Sequence, residues 1–142
     1  MHFHGYLKRG IVYVPTVVEL ESGAYVDVEP VAVVPVANTE ALRIAFLETI
    51  KKGNAVVPKP DKWPPPVVLK YAGVKSWSAF ARGASMWSIK ESDGNFAIVG
   101  DRDHPNGYWK EDPEQRTNLP PGSTVGDAVD RMIAILQKAA GS

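Results

Sequence analysis

Asp101-Arg102-Asp103-His104 is the stretch with the most chemical capacity in this chain. Two carboxylates alternate and an imidazole follows, a set that can hold a divalent ion or trade protons. His2 and His4 are a second candidate. Their H-x-H spacing puts both rings on one side of an extended strand, where they could share a metal if a third ligand joined them. Asp27 and Glu29 are a third, a carboxylate pair on one strand face suited to acid–base work or a divalent ion. Each has a plainer reading. Pro105-Asn106-Gly107 makes the first a turn by composition. The second fits a half-covered first strand, and the third the wet face of a two-layer sheet. The first cluster matches no calcium loop, and the chain has no P-loop, GxGxxG, nucleophile elbow or HExxH. With no cysteine, disulfides, thiol nucleophiles and Cys-type zinc sites are excluded. The expectation is a protein with no catalytic constellation, no cofactor and no bound metal. A small metal-dependent hydrolase at 101–104 is the alternative.

The elements that must position such groups centre on Lys70 to Gly100. Ser85–Ser92 and Asn95–Gly100 are β-favouring runs joined by Asp93-Gly94, which supplies the positive φ of a tight hairpin turn. Before them, SWSAFARGA predicts a short helix near 76–82, ended by Gly83. Trp77, Phe80 and Trp87, interspersed with Lys70, Lys75, Arg82 and Lys90, have the mix of a single-strand nucleic-acid platform. The same spacing also puts these rings in a core.

Upstream, 11–20 and 24–34 read as an antiparallel pair, with Pro15 marking an edge or a bulge. Asn38 caps a helix over 39–52 that ends on Lys51-Lys52-Gly53. Residues 54–66 hold five of the twelve prolines and predict a stiff connector with Trp63 tucked against the core. Val67-Val68-Leu69 is a short strand candidate. Residues 108–121 read as a polar recognition loop, in which Tyr108 and Trp109 stand beside Glu111, Asp112 and Glu114. Thr124 and Asp127 cap a final amphipathic helix to about 139. The sum is a single α+β domain over 1–142: a mostly antiparallel sheet of about four to six strands, two main helices and one short one.

Lys plus Arg equal Asp plus Glu at 16 each, so the net charge is zero. The distribution is uneven. Residues 51–90 carry eight basic side chains and one acidic; residues 91–114 carry two basic and seven acidic. A neutral total argues against bulk nucleic-acid binding, which phosphate neutralisation drives. Segregated charge still permits faces that steer a partner. A nucleic-acid-associated protein using Lys59, Lys62, Lys70, Lys75 and Trp77 within 59–90 is therefore an alternative. No apolar run approaches the roughly 20 residues that span a bilayer, and MHFHGYLKRG lacks the layout of a signal peptide. A cytoplasmic protein with no membrane partner is expected; the oligomeric state is open.

GAYVDVEPVAVVPV followed by a capped helix, and GVKSWSAFARGASMWSI followed by a polar hairpin, resemble the small immunity proteins of bacterial contact-dependent growth inhibition and related polymorphic-toxin systems. The resemblance implies a non-enzymatic inhibitor that binds one cognate toxin domain and occludes its active site. Many such toxins are nucleases with basic clefts, which the acidic stretch 101–114 would complement. Asp101, Asp103, Tyr108, Trp109, Glu111 and Asp112 are the expected contact residues.

Overall fold

The computed structural model describes residues 1–103 and 109–141. In chain order the elements are β1 (His2–Lys8), β2 (Ile11–Leu20), β3 (Tyr25–Pro35), α1 (Thr39–Lys52), β4 (Val56–Val57), α2 (Val68–Ala72), α3 (Trp77–Ala81), β5 (Ala84–Ser92), β6 (Asn95–Asp103), β7 (Trp109–Asn118) and α4 (Val125–Gly141). One sheet runs β3-β2-β1-β5-β6-β7, antiparallel throughout, and β4 adds a two-residue parallel pairing to the end of β2.

Two turns set the registers. Arg9-Gly10 joins β1 to β2 and Asp93-Gly94 joins β5 to β6, and all four residues have positive φ. Two-residue loops of this kind twist in the sense that the strands do, so both hairpins close tightly. The helices start where side chains replace missing backbone partners. Asn38 Oδ1 accepts from Ala41 N at 3.1 Å, and Ser76 Oγ accepts from Ala79 N at 3.1 Å. Thr124 and Asp127 exchange both bonds of a capping box, at 3.1 and 2.9 Å.

α1 and α4 cover one face of the sheet. Leu42, Phe46 and Ile50 of α1 meet Val129, Met132 and Leu136 of α4 over Phe3, Val12, Val17, Ile89 and Ile98. Each such side chain contributes about 1.5–3 kcal/mol by burial, which makes this the dominant core. The opposite face is covered only in part. Here α2 and α3 bring Val68, Leu69 and Phe80 onto Tyr6, Tyr13 and Val31. Phe80 is ringed edge-on by Tyr6 and Tyr13, with centroids 5.4 and 5.7 Å away.

A bulge divides this second face. The β2–β3 register jumps from Pro15↔Val31 to Thr16↔Val28, leaving Glu29-Pro30 unpaired on β3. Thr49 Oγ1 and Thr16 Oγ1 donate to the carbonyls of Pro15 and Pro30 at 3.2 and 3.0 Å, satisfying groups that the ladder cannot. The β1–β2 pairing covers only Tyr6–Lys8. Beyond it Asn54 bridges the parted strands. Its amide donates to the carbonyls of His2 and Val17 at 2.9 and 3.1 Å, and its Oδ1 accepts from His2 N at 2.9 Å.

Several expectations change. β1 is not a half-covered margin: it pairs with β5 along its whole length and lies inside the sheet. Residues 109–118 form β7 rather than a loop. Val68–Ala72 is helical rather than extended, because Val68 and Leu69 bury as a pair on the second face, and such packing overrides β propensity. Trp63 is half exposed instead of tucked into the core.

Candidate functional site

Where β1 and β2 part, a cleft of about 730 Å³ opens on the thinly covered face. The proline-rich segment forms one wall, with Pro60, Trp63 and Pro65 among its lining residues. The sheet forms the other, and polar side chains come together there that lie far apart in the chain. His2 Nε2 lies 3.2 Å from His4 Nδ1, and His4 Nε2 pairs closely with Asp27 Oδ1. Tyr6 donates its hydroxyl hydrogen to Asp27 Oδ2 at 2.6 Å. Tyr25 stacks on His2 with centroids 4.9 Å apart. Asp101 reaches the same cleft from β6, because its β5 partner is Met86 and Met86 in turn stands opposite Tyr6.

Burial is the largest influence on the protonation of His2, Tyr6 and Asp101. It pushes the His2 imidazole down to about 4; neighbouring His4 adds to the effect and Asp27 opposes it. Burial is also the main cause raising the Tyr6 phenol, and Asp27 reinforces it. The Asp101 carboxyl is raised by burial, against the pull of Lys90 and His4. Asp101 Oδ1 is buried and has no hydrogen-bond partner among the described residues.

The structure thus unites two of the sequence candidates, the His2/His4 pair and Asp27, and adds Asp101. Glu29 does not join them. It points outward to Tyr71, which donates to it at 2.9 Å, and to Lys70. Asp27 is not on a wet face; only 16% of its side chain is exposed. Tyr6 and Tyr25 were missed as site residues, and only the H-x-H-x-Y alternation could have suggested Tyr6. Among the described residues no group of three or more His, Cys, Asp or Glu is placed to hold a metal ion. Replacing Tyr6 by Phe removes the neutral donor to Asp27 Oδ2 and is expected to cost about 1.5–2 kcal/mol in urea unfolding. A loss well below that would mean that solvent or His4 supplies the missing bond.

The candidates of 101–114 are spread over two surfaces. The β6–β7 register passes from Val99↔Arg116 to Asp101↔Glu111, so residues 112–115 bulge out opposite Gly100. Asp112 is buried, and its Oδ1 accepts from Glu114 N at 3.0 Å, bracing the bulge from within. Glu114 is exposed at its outer side. Glu111 pairs with Lys90 across the face of β6. Asp103 and Trp109 are backbone partners in the ladder; their side chains, and the whole of His104 and Tyr108, lie outside the described residues. Of the basic and aromatic segment, Trp77 is packed on Phe80 at 5.4 Å and on Tyr6 at 6.0 Å, so its ring serves the second core.

No family model matches the sequence, and no curated protein matches it. Solved structures share the fold. A protein of unknown function from Neisseria meningitidis superposes with a TM-score of 0.67 at 12% identity, over 98% of this chain and 95% of that one. A chain of the CdiA-CT/CdiI toxin and immunity complex from Yersinia pseudotuberculosis superposes with a TM-score of 0.62 at 10% identity, over 96% of this chain and 95% of that one. At these identities the likeness is one of fold. No helix among the described residues is long and apolar enough to cross a membrane.

Proposed function

We propose that this protein is an immunity protein that neutralises a cognate toxin domain by binding it and occluding its active site in the cytoplasm. The observation that carries this reading is the end-to-end fold likeness to a chain of a toxin and immunity complex. The contact surface is assigned to the β6–β7 end of the sheet, from Asp101 and Asp103 through Tyr108 and Trp109 to Glu111 and the bulge braced by Asp112. Bulges re-aim side chains and interrupt pairing, and this one turns Glu114 outward on an edge strand. Acidic groups there would steer a basic toxin cleft onto the surface.

An affinity capture of the tagged protein from its own cells, at moderate salt, tests the reading. One stoichiometric partner is expected, identified by mass spectrometry as the C-terminal domain of a secreted toxin. A Glu111→Lys/Glu114→Lys variant should bind that partner at least tenfold more weakly, mostly through a slower association rate. Unchanged affinity would move the contact surface elsewhere. A nucleic-acid-rich eluate would transfer the function to the basic segment 59–90.

A further inference from the structure

We propose that the cleft between β1 and the proline-rich segment is a binding site for a small organic cation: an ammonium or guanidinium head on an aromatic or aliphatic body. The volume, about 730 Å³, is within the range of small-molecule sites. The chemistry of its lining selects among ligand classes. Tyr25, Trp63 and Trp77 supply aromatic walls, and prolines fill much of the rest. Ring faces and apolar walls favour an apolar body, and ring faces also attract cations.

The charged groups decide the head. Asp27 and Asp101 line the cleft, and among the described residues no Lys or Arg does. Asp27 is engaged by His4 and Tyr6. Among the described residues Asp101 has no such partner in the cleft, and its Oδ1 is buried and unbonded. Lys90, which acts on Asp101 but does not line the cleft, is paired with Glu111. An anionic ligand would meet two carboxylates. A neutral apolar ligand would desolvate Asp101 and offer nothing in return. A cation supplies the missing donor and charge together. Asp101 belongs to both proposed surfaces, but this assignment rests on the cleft lining alone, and the Glu111→Lys/Glu114→Lys variant that tests toxin binding leaves the cleft residues in place.

The test compares three probes of one shape on the full chain: phenethylamine, 2-phenylethanol and 3-phenylpropionate. Trp63 and Trp77 line the cleft, so tryptophan fluorescence follows occupancy directly, and the thermal midpoint gives a second readout. Phenethylamine is expected to give a saturable change in the millimolar range. The alcohol should bind at least about tenfold more weakly and the carboxylate not measurably, since one lost charged contact is worth roughly a factor of ten. Asp101→Asn should weaken the amine about tenfold and leave the alcohol unchanged. Its thermal midpoint at neutral pH should not fall, because a buried carboxylate has been removed. Trp63→Ala should weaken both amine and alcohol. Equal binding of amine and alcohol, no saturable amine response, or an Asp101→Asn variant that binds the amine like the parent would each overturn the proposal.

Discussion

Gly100→Val is expected to lower stability by about 3 kcal/mol, or roughly 10 °C in thermal midpoint for a chain of this size. Gly100 stands opposite Trp87 in the β5–β6 ladder. A Cβ at position 100 would lie 2.7 Å from Trp87 Cζ3 and 2.9 Å from Cε3. The obstacle is a ring. Its Nε1 donates to Ser85 Oγ at 3.3 Å, and its body packs on the main core. The indole therefore cannot step aside without leaving apolar partners. Trp87→Ala alone creates a cavity in the same place and should cost about 3 kcal/mol or more. The double variant Gly100→Val/Trp87→Ala should be more stable than the sum of the two costs by about 1–2 kcal/mol, since valine fills part of the space. Strict additivity would show that the two sites do not share it.

That pairing shows what local pattern can and cannot disclose. The Asp93-Gly94 turn, the capping residues Asn38 and Thr124, and the apolar stripes of α1 and α4 are written in neighbouring residues, and each is where the sequence predicts it. The site is not written that way. His4 meets Asp27 because β1 is inserted between β2 and β5, and the β5 pairing joins residues more than 75 positions apart. No periodicity within a window of ten or twenty residues encodes that insertion. Nor does it encode the bulge at Pro15/Thr16, where β1 and β2 separate and the cleft opens, although Pro15 marks the place. The β7 strand escaped notice for a related reason. Its pairing is interrupted by residues 112–115, so 108–121 reads as a polar loop although Trp109 and Asn118 both belong to the ladder. The Asp101 clue was legible as chemistry but not as position. Alternation along β6 turns Asp101 toward His4 and Met86.

Acidification should destabilise the fold through His2, and the sign follows from its burial. The imidazole titrates near 4 in the folded protein, against an ordinary value of 6.5. Between those two values the unfolded chain binds more protons than the native one. Stability from this group is therefore fully present above about pH 6.5, falls as pH drops through the unfolded value, and is gone below the folded value. The full swing is about 3 kcal/mol at most, and the partial exposure of the ring reduces it. Asp101 acts in the opposite direction. Its folded carboxyl is raised, so its burial costs stability at neutral pH and that cost is relieved in acid. A His2→Phe variant keeps a ring to stack on Tyr25 and removes the titration. Thermal midpoints of parent and variant, measured from pH 7 to pH 4, should diverge as pH falls, with the parent losing more. Parallel curves would mean that the His2 ring is protonated in the folded state as easily as in water, and the His2–His4–Asp27 cluster would then be a solvated surface feature instead of the floor of a cleft.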